Sequence, residues 1–557
     1  MNTFPRGLSA FSLDGKKALI TGGNRGLGYA FTTALADCGA AVAEGSMVST
    51  MAPLEELVDR YLSPAVVPHW ENSSVEFVVD GRVWMRRMRE LLTSLGPGDA
   101  AYICGLQLEP DMDLTGRAAG EPGHEPLGEL LAGLAGAGVD VRVVLAGAVV
   151  SSSITRPTIG PFHENVSSAH RLRRWRHRGD QPLADRVLLD WSGSGIGSNH
   201  QKITLVRRGN EITAGVGGID YAANRVDESP HRRLAVRGGR WGWHDAGAII
   251  RGPATTDVWR VLRMRWSGAV NLPRRRYFWP SIKGLQVLNP PGMPLEIGPP
   301  PPQTARPADG SACQILRSVG PWYIDSLLPW ERKHYNDLAP EGVHEVYLTL
   351  VQAIGAARRY VYIEDQYFRE YPGGDHRFEL YAHLRAAAAR GVKVILVGSG
   401  SRDPAESSPL INGTINADLQ KKVIDPLPQQ LRRNVGLWRV EHLTVHTKIV
   451  IVDDQFAAVG SANFFSRSMA GVDTELTAAL TTTGDAVRDL RVQLWAEHLR
   501  TPVTDELRKH LEDLDLAIGM FRPEWLPPHA PAGSWRTPDL PAGFDPLESV
   551  LTFVGPP

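Results

Sequence analysis

Lysine is the scarce basic residue in this chain, with ten lysines against fifty arginines. Cysteine is scarcer still: Cys38, Cys104 and Cys313 in 557 residues. Three thiols without paired spacing cannot assemble a disulfide framework or the usual cysteine zinc site, so a reduced, cytoplasmic chain is the fitting expectation. No apolar run reaches the ~20 residues that cross a bilayer, and no charged segment leads into an apolar one at the N-terminus. Membrane contact is therefore expected only at the surface. Net charge is lacking too: 60 basic residues against 61 acidic leave -1. That balance gives no global pull toward nucleic acid or anionic lipid. The local basic runs RLRRWRHR (171–178) and PRRRY (273–277) read as solvated faces.

What is present is an ordinary globular composition, 43% hydrophobic and 22% charged, in a chain long enough for two to four domains. Beyond Met47 the pattern repeats. VWMRRMRELLTSLGPGDAAYICGLQLEP (83–110) reads as amphipathic helix, turn and apolar strand, and LGELLAGLAGAGVDVRVVLAG (127–147) does so again. VHEVYLTLVQAIGAARRYVYIEDQYF (343–368) and FELYAHLRAAAARGVKVILVGSG (378–400) follow the same order in the second half. Between them, the prolines of NPPGMPLEIGPPPPQTARPADG (289–310) mark a linker. The reading is α/β: two similar halves, 47–288 and 311–515, packed as a pseudo-dimer around one active site, with a tail at 516–557.

The opening segment points elsewhere. FSLDGKKALITGGNRGLGYAFTTALADCGAAVAE (11–44) reads as strand, glycine-rich turn and helix, and resembles the start of a short-chain dehydrogenase. None of the thirteen tyrosines has a lysine four residues later, so the catalytic pair of that family is missing. GSM (45–47) reads as a junction before a second start methionine. Residues 1–46 are expected to be a leader or fusion fragment without dehydrogenase activity.

The chemistry sits in a repeated element. VHTKIVIVDD (445–454) sets His446 and Lys448 two apart in a strand pattern, so both face one way while Ile449 and Ile451 face the core. SNHQKITLV (198–206) repeats this with His200 and Lys202. Each is followed by a small-residue turn, with Gly218 where Ser461 stands in the other half, and Asp220 where Asn463 stands. WHD (243–245) and DTEL (473–476) supply Asp245 and Glu475. A neutral imidazole can attack phosphorus, and an ammonium can hold a non-bridging oxygen. Both sites take lysine in a chain that otherwise prefers arginine, and lysine is the compact point charge.

These paired motifs resemble the phospholipase D superfamily over roughly residues 60–500. YIEDQYF (362–368), SNHQK (198–202) and LWAEHL (494–499) strengthen the resemblance. It implies a phosphodiesterase that hydrolyses or transphosphatidylates phospholipids through a phosphohistidine. The alternatives are a cardiolipin synthase-like phosphatidyltransferase or a nuclease on the same scaffold. On this resemblance His200 is the nucleophile and His446 the general acid/base, with the roles exchangeable. Lys202, Lys448, Asn463 and Asp220 would surround the phosphate oxygens, and Asp245 and Glu475 would each hold a histidine ring. Ser461, Gly218, Glu364 and Gln366 would line the substrate site. The implied partners are a phospholipid and a water or alcohol acceptor, with peripheral membrane contact, no nucleic acid, no cofactor and no metal; the expected state is a monomer. One position departs from the family: Arg207 stands where an aspartate is expected five residues after the first lysine.

Overall fold

A computed structural model of the chain describes residues 52–66, 68–147, 161–190, 197–229, 231, 242–271, 296–325, 327, 329, 332, 333, 339, 341–370, 376–399, 418–440, 443–498 and 504–521, with strands at 17–21, 41–45 and 551–553. Cys38, PRRRY (273–277) and most of the glycine-rich turn after Thr21 lie outside the described residues. The first compact unit, residues 1–56, contains β1 (Lys17–Thr21) and β2 (Ala41–Gly45), paired in parallel. The strand after the dehydrogenase-like helix pattern is therefore begun, over Ala41–Gly45.

The second unit, residues 57–557, contains two large sheets. The first is built from β3 (Ser74–Val79), β4 (Ala100–Gly105), β5 (Asp140–Ala146), β6 (Val187–Asp190), β7 (Ile203–Arg208) and β8 (Glu211–Gly217). After the short β9 (Gly242–His244), β10 (Ala246–Arg251) completes it, in the order β3-β10-β8-β7-β4-β5-β6. The second sheet uses β11 (Ser311–Val319), β12 (Val343–His344), β13 (Tyr360–Asp365), β14 (Lys393–Ser399) and β15 (Val435–Val440). Past the short β16 (Leu443–Val445) it gains β17 (Lys448–Val452), β18 (Phe456–Gly460), β19 (Glu475–Thr482) and β20 (Leu551–Phe553). Its order is β12-β11-β19-β18-β17-β13-β14-β15-β20. Without the edge strands β12 and β20, the two orders match position for position. In each, three parallel strands flank the antiparallel strand that follows the H-x-K motif.

Alternation along the strands decides which residues meet. In β4, Tyr102 and Cys104 face a core shared with Tyr362, Ile449 and Ile451 of the second sheet, while Ala101 and Ile103 face the opposite way. That outer face is covered by helices 81–93, 127–136 and 161–173, through residues such as Met88, Leu131 and Leu172. One face of each sheet thus enters a common core, as a period of two demands when both faces are covered. Helix Thr255–Asn271 adds Val258, Leu262 and Trp266 to it.

Two features differ from the sequence reading. The stretch read as a C-terminal tail begins inside a helix, Leu514–Phe521, whose Phe521 packs on Trp438 and Trp495 at ring separations of 5.0 and 4.7 Å. Further along, β20 pairs with β15, Phe553 lying opposite Trp438. His200 and His446 precede their strands: β7 starts at Ile203 and β17 at Lys448. The pleat therefore aims the residues after the motif, and interstrand bonds from the other half aim the histidines themselves.

Candidate active site

Each H-x-K motif is tied into the opposite half of the chain. His200 N–H donates to Thr474 O at 3.0 Å, and Asn199 bridges Thr474 in parallel. Reciprocally, β16 pairs in parallel with β9, and His446 N–H donates to His244 O at 2.8 Å. These pairings put the acidic residue that follows His244 or Thr474 beside the imidazole.

His446 Nδ1 lies 2.6 Å from Asp245 Oδ2, and His200 Nδ1 lies 3.0 Å from Glu475 Oε2. His200 Nδ1 also lies 3.0 Å from Ser461 O. A carbonyl and a carboxylate only accept, so Nδ1 of His200 carries the proton and Nε2 is left as the reactive atom. Asp245 and Glu475 are both wholly buried. Glu475 is fixed by the Ser461 hydroxyl at 2.6 Å and the Ser468 hydroxyl at 2.7 Å. Asp245 accepts from Ala246 N–H at 2.8 Å.

The pseudo-equivalent Gly218 and Ser461 serve these carboxylates differently. Ser461 donates a hydroxyl to Glu475. At Gly218 a Cβ would stand 2.3 Å from Asp245 Oδ1, so only glycine admits the carboxylate.

The lysines are buried, and each folds back onto its own histidine. Lys202 Nζ donates to His200 O at 2.8 Å, and Lys448 Nζ to His446 O at 2.5 Å. Lys202 lies 3.5 Å from Asp220, whose other oxygen accepts Leu106 and Gln107 N–H. In the second half the acid comes from the other strand. Asp365 lies opposite Lys448 in the sheet and accepts Tyr367 and Phe464 N–H, while Asn463 takes the place of Asp220. Burial pushes Asp365 up to about 8, against the pull of Lys448 and those two amides.

Cations crowd His446. Burial, then Lys448, Arg225, Lys202 and His200, hold its imidazole well below the usual histidine range. Burial pushes Asp245 up to about 6, against the pull of Lys448. Both shifts describe one buried pair, with His446 neutral and its Nδ1–H shared with Asp245. The exchanged pairs, Asp245 on His446 and Glu475 on His200, place the two motifs at one seam. Trp243 packs tilted against His446 at 4.9 Å between ring centroids, with the Arg225 guanidinium 3.3 Å from the Trp243 ring centroid.

Glu364 and Gln366 part company. Glu364 is wholly buried and receives Tyr362 OH at 2.5 Å, Thr447 OH at 2.7 Å and His498 Nε2 at 2.9 Å, with His244 Nε2 2.7 Å away. It braces the protein behind the cleft. Gln366 Oε1 lies 3.4 Å from Lys448 Nζ, and its Nε2 is buried without a hydrogen-bond partner, as is Asn463 Oδ1.

Sequence reasoning passed over Trp243, Arg225, His244 and Asp365. Trp243 and His244 stood in the same WHD triplet as Asp245, and Asp365 between Glu364 and Gln366. Arg225 carries no signal in a chain with fifty arginines.

Arg207 does by donation what its counterpart does by acceptance. Asp453, five residues after Lys448, accepts the N–H groups of Arg358, Arg359 and Tyr360 at the turn before β13. Arg207 donates to Gly98 O, at the turn before β4, and to Gly209 O. Both pin the same turn, with opposite polarity.

Two matched α/β halves with exchanged histidine–carboxylate pairs define a bilobal, paired H-x-K protein. Comparison with known proteins agrees. Residues 350–496 match a family described as "Cardiolipin synthase, PLD-like domain". Phospholipase D1 of Schizosaccharomyces pombe is 28% identical over 385 residues, covering 56% of this chain and 26% of that protein. Cardiolipin synthase B of Escherichia coli (strain K12) is 28% identical over 152 residues, covering 27% of this chain and 35% of that protein. The chain thus spans about a quarter to a third of the length of these curated relatives. The crystal structure of phosphatidylserine synthase from Haemophilus influenzae Rd KW20 shares the fold, with a TM-score of 0.50 at 12% identity over 80% of this chain and 89% of that one. The chain thus carries a phospholipase D-like domain over residues 350–496 and is similar to phospholipases D over about half its length.

Proposed function

We propose that this protein is a phospholipase D-type phosphodiesterase that cleaves or exchanges the head group of a phospholipid through a phosphohistidine. The observation that carries this reading is the exchange of carboxylates across the seam: Asp245 on His446 and Glu475 on His200. One phosphodiester could then meet both Nε2 atoms.

In the first order His446 enters as the imidazolium, protonated on both nitrogens: His200 Nε2 attacks phosphorus, the bond to the departing alcohol breaks, and that alcohol takes the His446 Nε2 proton. Water or a second alcohol, deprotonated by His446, then displaces His200 and releases the product. Asp245 and Glu475 hold each ring in the Nδ1–H tautomer and stabilise imidazolium where it forms. Lys202, Lys448 and the amide of Gln366 offset charge on the non-bridging oxygens. The neutral state of His446 in the free protein favours a second order, with the two histidines exchanged. Trapping with a labelled, activated phosphodiester and peptide mapping decides: label on His200 supports the first order, label on His446 the second, and label on neither overturns the covalent route.

Incubation with a phosphatidylcholine dispersion and a primary alcohol tests the activity itself. Release of choline together with a new phosphatidyl alcohol is expected; neither product would overturn the reading. The family match over residues 350–496 favours a second acceptor class, phosphatidylglycerol with cardiolipin as product. Nucleic acid is disfavoured as substrate by the near-zero net charge.

A further inference from the structure

Behind the cleft lies a second cluster that the displacement at phosphorus does not use. Asp80, His231, His244 and Glu497 bring one donor atom each to within 4.8 Å of one another. His244 Nδ1 is 2.7 Å from Glu497 Oε1 and 3.0 Å from Asp80 Oδ1. His231 Nε2 is 2.6 Å from Glu497 Oε1 and 3.8 Å from Asp80 Oδ1. The four residues come from distant parts of the chain: the residue before helix 81–93, the segment before β9, β9 itself, and helix Ala486–His498 of the second half. All four side chains are at least nine-tenths buried.

The outward nitrogens of both imidazoles also face carboxylates. His231 Nδ1 lies 3.0 Å from Asp227 Oδ2, and His244 Nε2 lies 2.7 Å from Glu364 Oε1. Those outer carboxylates are fixed in turn, Asp227 by the N–H groups of Trp243 and Glu228, and Glu364 by Tyr362, Thr447 and His498. An inner set of two imidazoles and two carboxylates, with an outer carboxylate on each imidazole, is how proteins hold a borderline divalent metal. The four donor separations, 2.6–3.8 Å, bracket the roughly 3.3 Å edge of a tetrahedron with bonds of about 2.0–2.1 Å. The two inner carboxylates match the charge of a dication with both rings neutral.

We propose that Asp80, His231, His244 and Glu497 form a structural site for one divalent transition cation of the zinc class, clamping the two halves together beneath the active site. The ligands are Asp80 Oδ1, His231 Nε2, His244 Nδ1 and Glu497 Oε1. The cation would fix β9, and through β9 the neighbouring Asp245, without touching substrate. The competing arrangement is a proton on each inner nitrogen, both directed at Glu497.

The test uses untagged full-length protein purified without chelator. About one zinc per chain by elemental analysis is expected. Stripping with a strong chelator should lower the melting temperature and adding Zn²⁺ should restore it, while Co²⁺ should give the visible absorption of a tetrahedral centre. Glu497→Gln should lose the metal. Because that variant can fail to fold, Asp227→Asn is the second probe: it keeps all four ligands and should weaken Zn²⁺ binding about 10–100-fold. Stripped, folded protein that binds neither Zn²⁺ nor Co²⁺ stoichiometrically, with an unmoved melting temperature, would overturn the site and leave the protonated network. These readouts do not depend on activity, so the proposed phospholipase reaction can fail without deciding them.

Discussion

The imidazole of His446 is oriented by Asp245, 2.6 Å away and 201 positions earlier in the chain. Asp245→Asn would turn an acceptor into a group that can present N–H to Nδ1, favouring the wrong tautomer. It is expected to lower kcat about 10²–10⁴-fold with little change in KM. Glu475→Gln should do the same to His200, and the double variant should be far from the product of the two losses. Steady-state kinetics on a short-chain phosphatidylcholine checks all three.

Gly218→Ala should be as damaging as Asp245→Asn, although alanine is among the mildest of substitutions. Its Cβ would sit 2.3 Å from Asp245 Oδ1, so the carboxylate must leave His446. At the equivalent position Ser461→Ala removes a hydroxyl that donates to Glu475 and accepts Leu476 N–H, while Glu475 keeps Ser468 and His200. A loss of about tenfold in kcat is expected there, the scale of one hydrogen bond. Equal losses in the two variants would contradict this difference between the halves.

Restoring the family residue at position 207 should harm the protein. In Arg207→Asp the new carboxylate would face Gly98 O and Gly209 O, two acceptors, beside Asp99, which already binds Gly209 N–H. Asp453→Ala should cost about 1–3 kcal/mol, because three amides lose their acceptor. Arg207→Ala, which removes two solvent-exposed hydrogen bonds from a half-buried side chain, should cost less than about 1 kcal/mol. Urea denaturation ranks the three.

Asp473 predicts an acid-sensitive tether between the halves. It accepts the Ser198 N–H and hydroxyl from the first half and a two-pronged contact from Arg467. Burial raises its pKa, but hydrogen bonding and charge from Arg467 outweigh this and hold it below the ordinary aspartate range. A depressed folded-state pKa contributes stability above the unfolded value, near pH 4, and that contribution fades as pH falls through the folded value. Asp473→Asn should therefore be less stable at neutral pH and show a flatter loss of melting temperature below pH 4. A parallel pair of curves would remove the tether from the account.

Much of this was legible in the residues. The H-x-K repeat, the Gly/Ser and Asp/Asn correspondences and the helix–strand order all follow from spacing and periodicity, which are local. The pairing of His200 with Glu475 and His446 with Asp245 could not be assigned from spacing, because it depends on β9 meeting β16 and Asn199 meeting Thr474 across the seam. Glu364 misled for a related reason: a carboxylate beside a motif reads as substrate-facing until its four buried partners are seen. Arg207 read only as a departure from the family because acceptor and donor solutions to the same turn share no sequence signal.

The exchanged carboxylates also restrict how this protein can move. Parting the halves by about an ångström would take His446–Asp245 and His200–Glu475 out of hydrogen-bonding range together, since such contacts weaken steeply beyond about 3.2 Å. Hinge-like breathing between the lobes would therefore switch both histidines off in one stroke. Substrate admission and product escape must use rim motions that leave the seam shut, and where release limits turnover, kcat will report the kinetics of those motions.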